Sequence, residues 1–128
     1  MGRLIHFEIH ATDPEALVRY YSELLGWEFD LQPQIDYWLI RTGPEGEPGI
    51  NGGLLRRPVP GPAGGPVLNA FVCTVEVGDL DGALARSAEL GGEVALPRMP
   101  VTGLGWLAYV KDPDGNTLGL LQPDPAAA

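Results

Sequence analysis

The sequence predicts an α+β fold made of two tandem βαβββ modules. Three observations point there. Short alternating runs rich in β-branched and aromatic residues read as strands. Two segments alone carry the apolar period of a helix. The second half also repeats the first at an offset of 66 residues: Asp13 falls on Asp79, Leu24 on Leu90, Gly26 on Gly92, and Gly53-Leu54-Leu55 on Gly119-Leu120-Leu121. Neither unit would bury its sheet face well alone, so the two are expected to pack as a pair.

The elements follow in order. RLIHFEIHA, residues 3–11, alternates like a strand. Asp13-Pro14 opens a helix, because Asp accepts a bond from an orphan amide and Pro lacks the N–H that a first turn leaves unused. Leu17, Tyr20, Tyr21, Leu24 and Leu25 form its apolar stripe, and Gly26 ends it as a left-handed residue. Strand-like runs WEFDLQ, DYWLIRT and INGGLLRR follow, with GPEGEPG as the turn between the last two. PVPGPAGGP, residues 58–66, has a linker composition. Module one therefore covers about 3–57 and module two about 67–123. LNAFVCTVEV is the next strand, and Asp79 opens the second helix, which closes at Gly91-Gly92. EVALPRMP, GWLAYVKD and NTLGLLQP are the remaining strands, and the tail PDPAAA reads as loose. Met99, in PRMPVTGLG between two strands, is positioned as a lid.

Composition narrows the function classes. The chain has 128 residues and a net charge of −9, from 17 acidic against 8 basic residues. That argues against nucleic acid, whose binding rests on neutralising phosphates, and against an anionic membrane surface. No apolar run approaches the ~18 residues of a membrane helix. The opening MGRLIHFEIH has no long apolar core or small-residue cleavage pattern, so no signal peptide is expected and the protein reads as cytoplasmic. The lone Cys73 cannot form an internal disulfide and reads as a buried small hydrophobe.

The opening IHFEIHATDPEALVRYYSELLGWEF and the closing YVKDPDGNTLGLL, together with the repeat, resemble the vicinal oxygen chelate superfamily. That superfamily holds glyoxalase I, bleomycin- and fosfomycin-resistance proteins and extradiol dioxygenases. The resemblance implies a U-shaped mixed sheet around a cleft, helices on its outer face, and a homodimer. It implies four positions for metal ligands, one on the first and one on the last strand of each module. Those positions fall on His6, Gly53, Val72 and Gly119. His6 alone matches a family ligand, so no cofactor is expected and a divalent metal is disfavoured, since divalent sites need about three protein ligands. On this reading Gly53 and Gly119 leave room for a ligand to approach the backbone.

Alternation places His6, Glu8 and His10 on one strand face, and Val72, Thr74 and Glu76 on the matching face of module two. Glu8 with His6 is the candidate catalytic pair, the acid as proton shuttle; a structural polar pair is the competing reading. Trp38 and Trp106 lead matching segments and could form two aromatic walls for a flat ligand or lie in the core under the helices. Tyr37 and Arg41 are ambiguous, and Arg56 and Arg57 read as solvated strand ends. The candidate ligand-binding set is His6, Glu8, Trp38, Gly53, Val72, Thr74, Trp106 and Gly119. Two functions follow. One is a small-molecule-binding protein of this superfamily that takes an organic, aromatic or cationic compound. The other is a lyase, isomerase or dioxygenase-type enzyme using Glu8 and His6, with or without a divalent metal.

Overall fold

A computed structural model describes residues 5–57 and 72–128. The proposed linker 58–66, the start of the strand at 68–71 and residues 3–4 lie outside the described residues. The element order is β1 (His6–Ala11), α1 (Pro14–Leu25), β2 (Glu28–Gln32), β3 (Tyr37–Arg41) and β4 (Asn51–Arg56). Then come β5 (Cys73–Glu76), α2 (Leu80–Glu89), β6 (Glu93–Val101), β7 (Gly105–Lys111) and β8 (Thr117–Pro123). These form two compact units, each a βαβββ module with a four-stranded mixed sheet. The strand orders β1-β4-β3-β2 and β5-β8-β7-β6 are the same path through each sheet. In each module the first strand runs parallel to the last, and the other pairings are antiparallel.

The helix ends follow the sequence chemistry. The Asp13 side chain accepts from the Ala16 amide at 3.4 Å, and Gly26 closes α1 at φ 73°, donating its N–H to the Ser22 carbonyl. Asp79 caps α2 through the Gly82 amide at 3.0 Å. The Leu80 amide is tied to the sheet by the Gln122 side chain at 2.8 Å.

Register fixes which face each side chain takes. In the first sheet Phe7, Ile9 and Ala11 share a face with Gly52 and Leu54 on β4 and with Trp38 and Ile40 on β3. This is the helix side: Phe7 meets Trp27, and Trp27 stacks on Tyr21 of α1 with ring centroids 5.4 Å apart. Leu17, Tyr20, Tyr21, Ile40 and Leu54 are all buried there. In the second module Leu80 of α2, Ala108, Val110, Leu118 and Leu120 are buried. Burying such side chains is worth roughly 1.5–3 kcal/mol each, so these faces, not the turns, hold each module together.

Three expectations are corrected. The tail is pinned: Asp124 donates its amide to the Leu104 carbonyl, Gly103 donates to the Ala127 carbonyl, and Ala127 is buried. The segment around Met99 is not a lid but part of the nine-residue β6, where Met99 pairs with Leu107. Pro97 and Pro100 lie in this outer strand, and its pairing to β7 is irregular between Val94 and Leu96 and between Leu96 and Met99. Cys73 is exposed rather than buried, because it sits on β5, a four-residue strand at the sheet edge.

Candidate functional site

The face of the first sheet turned away from α1 is polar. His6, Glu8 and His10 of β1 lie opposite Asn51, Gly53 and Leu55 of β4. Tyr37, Leu39 and Arg41 of β3 share that face. Glu8 stands directly across from Gly53, and Gly53 across from Leu39, which is 46% exposed.

Tyr37 gathers the cluster. It is paired with Leu55, and its side chain runs diagonally across the sheet so that the phenol lies over Gly53. A Cβ built on Gly53 would collide with the Tyr37 hydroxyl and ring, which are its three nearest atoms. The Tyr37 hydroxyl donates to Glu8 Oε2 at 3.4 Å and stands 3.0 Å from His6 Nε2. With the phenol proton committed to Glu8, the His6 nitrogen is the donor to Tyr37 Oη. The two imidazoles approach opposite oxygens of Glu8, His6 at 3.9 Å from Oε2 and His10 at 3.8 Å from Oε1. All three side chains keep close to half of their surface accessible.

Desolvation pushes the Tyr37 phenol above its ordinary value, and the Glu8 charge and hydrogen bond add to it. Tyr37 therefore stays neutral at physiological pH. It acts as a hydrogen-bond donor, not as a base.

The glycines thus do not open the backbone, which corrects the expectation drawn from Gly53 and Gly119. In the second module a Cβ on Gly119 would lie 2.5 Å from Thr74 Oγ1 and 3.2 Å from Tyr109 Cε1. Thr74 and Gly119 are direct register partners, as are Tyr109 and Gly119. At Gly53 the space left by the missing side chain is taken by a tyrosine, and at Gly119 chiefly by the threonine hydroxyl, with Tyr109 close beside it.

The remaining candidates lie elsewhere. Val72 falls outside β5 and is exposed. Trp38 is 8% exposed on the helix side of its sheet, with Ile40 and Leu54, so it is core and not a wall of the polar face. Trp106 shares its strand face with the buried Ala108 and Val110. Its indole N–H donates to Asp124 Oδ2 at 3.1 Å, and the Arg98 guanidinium sits 4.6 Å from the ring centroid, which makes it a latch for the tail. The two tryptophans are not equivalent either. Trp38 pairs with Leu54, whereas Leu120, the counterpart of Leu54, pairs with Ala108. The counterpart of Trp38 is therefore Ala108, two residues beyond Trp106.

The superfamily's divalent ion can be tested against these residues. The last-strand positions are glycines whose side-chain space is filled, the module-two first-strand position is a valine, and the His6 Nε2 atom is engaged by Tyr37. Among the described residues no group of three His, Cys, Asp or Glu side chains is arranged to hold a metal ion. The donor set does not fit a divalent ion. Among the described residues, too, no helix is long and apolar enough to cross a membrane.

Residues 6–121 match the model of the glyoxalase-like domain. The chain is 26% identical over 120 residues to the protein named "Putative glyoxylase CFP32" of Mycobacterium tuberculosis, covering 90% of this chain and 43% of that one. It thus spans less than half the length of this curated relative. Among solved structures, a glyoxalase/bleomycin resistance protein/dioxygenase family enzyme from Burkholderia phytofirmans is similar with a TM-score of 0.72 at 13% identity, covering 93% of this chain and 97% of that one. The trypanothione-dependent glyoxalase I of Leishmania major is similar with a TM-score of 0.66 at 22% identity, covering 95% and 87%. At these identities the structural likenesses show the fold alone.

Proposed function

The chain belongs to the glyoxalase-like domain family of the vicinal oxygen chelate superfamily, and from that premise we propose that it binds a small organic compound on the polar face of its first sheet, without a metal ion. The observation that carries this reading is the Tyr37 hydroxyl seated over Gly53, a position that the superfamily resemblance assigns to a metal ligand. Hydrogen bonding replaces coordination there. Glu8 accepts one long bond from Tyr37 and keeps lone pairs for a donor group on the ligand, while the Tyr37 ring and the exposed Leu39 offer apolar surface beside it. A compound with a protonated amine and a flat apolar body suits that combination, and the net charge of −9 favours a cation. The reading extends to a homodimer, as the resemblance implies; light scattering on the purified chain tests that part.

The experiment is a thermal-shift screen with aromatic amines in one arm and divalent metals in the other. A ligand present at about 100 Kd should stabilise the chain by roughly 2.7 kcal/mol. A shift with amines that Glu8→Gln removes supports the reading. A null amine arm beside a strong shift with nickel or zinc defeats it.

A second reading, a lyase or isomerase, is favoured by one observation. His6, Tyr37 and Glu8 form a connected chain of proton-carrying groups on an accessible face. Glu8 would take a proton from a carbon acid and return it, with Tyr37 donating to the oxygen on which charge builds. Deuterium incorporation into a ketone substrate in heavy water, abolished by Glu8→Gln, separates this reading from simple binding.

A further inference from the structure

We infer that Tyr37 and Gly53 act as a pair that closes the polar cluster to a divalent ion, and that releasing both together reopens it. The inference concerns the same face as the proposed ligand site but does not depend on which compound binds there, since its readout is metal affinity alone.

The argument begins with what a metal site would need here. His6 and Glu8 lie one pleat apart on one face of β1, and residue 53 is the direct cross-strand partner of Glu8. An acidic side chain at position 53 would bring a second carboxylate beside the first and complete a set of one imidazole and two carboxylates. About three such ligands suffice for a divalent site with water in the open position. Two features of this chain prevent it, and both trace to one side chain. The phenol of Tyr37 fills the volume into which any side chain at position 53 would have to grow. Its hydroxyl also engages His6 Nε2, the nitrogen of that ring nearest Glu8, and bonds to the carboxylate oxygen on the same side. Tyr37 therefore removes a ligand position and occupies two donor atoms at once.

The backbone itself poses no obstacle. Gly53 is not among the positive-φ glycines, so a residue with a side chain can adopt its conformation. Gly52 is different: a Cβ there would lie 2.5 Å from the Phe7 carbonyl oxygen, a backbone atom that cannot step aside. The restriction at 53 is thus made by a side chain and is removable by changing that side chain.

Because the two residues interlock, single changes should fall short. Gly53→Glu alone has first to push the phenol off His6 and Glu8, and that displacement is subtracted from the affinity the new carboxylate brings. Tyr37→Ala alone frees His6 and Glu8 but supplies no third ligand, because His10 approaches the other oxygen of Glu8. The double variant Tyr37→Ala/Gly53→Glu frees the donors and adds the missing carboxylate.

The test is isothermal titration of the full chain and its variants with Ni2+, with the thermal midpoint followed in parallel. The double variant should gain saturable one-to-one binding about 10–100-fold tighter than the parent chain and Tyr37→Ala, and about 5–10-fold tighter than Gly53→Glu, which has to displace the phenol first. That binding should disappear when His6→Ala is added. The inference is overturned if the folded double variant gains no affinity. It is equally overturned if Gly53→Glu alone gains as much. Should the double variant not fold, NMR of the histidine rings decides the question. Ni2+ should broaden His6 more strongly in Tyr37→Ala than in the parent chain, and equal broadening in the two would overturn the inference.

Discussion

Gly53→Ala should cost stability only while Tyr37 is present. The three atoms nearest the added methyl all belong to the phenol. If the ring stayed in place, overpacking would cost about 1–3 kcal/mol. The cheaper escape is for the half-buried tyrosine to swing out, surrendering its 3.0 Å bond to His6. A typical net hydrogen bond is worth about 0.5–1.5 kcal/mol, and the swing also gives up the 3.4 Å bond to Glu8, so the loss is about 1–1.5 kcal/mol. Replacing a strand glycine by alanine returns about 0.5–1 kcal/mol of backbone entropy. The single variant should therefore lie between neutral and about 1 kcal/mol destabilised. In a Tyr37→Ala background the same change should stabilise by about 0.5–1 kcal/mol. The coupling energy from urea unfolding of the four proteins should be about 1 kcal/mol. Gly52→Ala is the control, since its obstacle is the Phe7 backbone and ring and Tyr37→Ala should not relieve it. Additivity of Gly53→Ala and Tyr37→Ala within about 0.3 kcal/mol would refute the packing argument.

Other outcomes follow from the same geometry. Because the Glu8 charge and hydrogen bond help raise the Tyr37 phenol, Glu8→Gln should shift one tyrosine to lower pH in an ultraviolet titration. A raised folded value also means that the Tyr37 contribution to stability is intact below the ordinary phenol value and is lost as pH rises through the folded one. Asp124 is held below the ordinary carboxylate value, first by the Ala126 amide and then by the Trp106 indole and the Arg98 charge. Its stabilisation of the tail should persist at neutral pH and fade as pH falls below that ordinary value, followed as a change in tryptophan fluorescence that Asp124→Ala abolishes. Leu54→Ala or Leu120→Ala, at fully buried positions, should cost about 2–5 kcal/mol in urea unfolding. Asp112→Ala should cost at least about 1–3 kcal/mol, because this 3%-exposed carboxylate accepts from the Asp114 and Asn116 amides and the Asn116 side chain.

The repeat and the order of elements were legible because capping residues and strand alternation are local signals. Alternation alone put His6, Glu8 and His10 on one face. Tyr37 was not legible as the hub, since its place over Gly53 follows from a diagonal contact between strands whose register the sequence does not state. The same gap misaligned Trp38 with Trp106: Ala108 stands opposite Leu120 as Trp38 stands opposite Leu54, and neither the matching tryptophans nor the 66-residue offset states that register. The glycines were read as vacancies because a missing side chain says nothing about which neighbour moves in. The tail was read as loose from its prolines and alanines, yet Asp124 ties it to Trp106 through a bond that composition cannot reveal.

The outer strand of the second sheet has a consequence for how copies of this chain can meet. Pro97 and Pro100 have no amide proton to lend, and the broken pairing around them bends the rim. A stray strand from another molecule finds no continuous row of donors to zip onto. The second module is thereby less open to fibre growth on that side, since backbone pairing along this strand would be interrupted at both prolines.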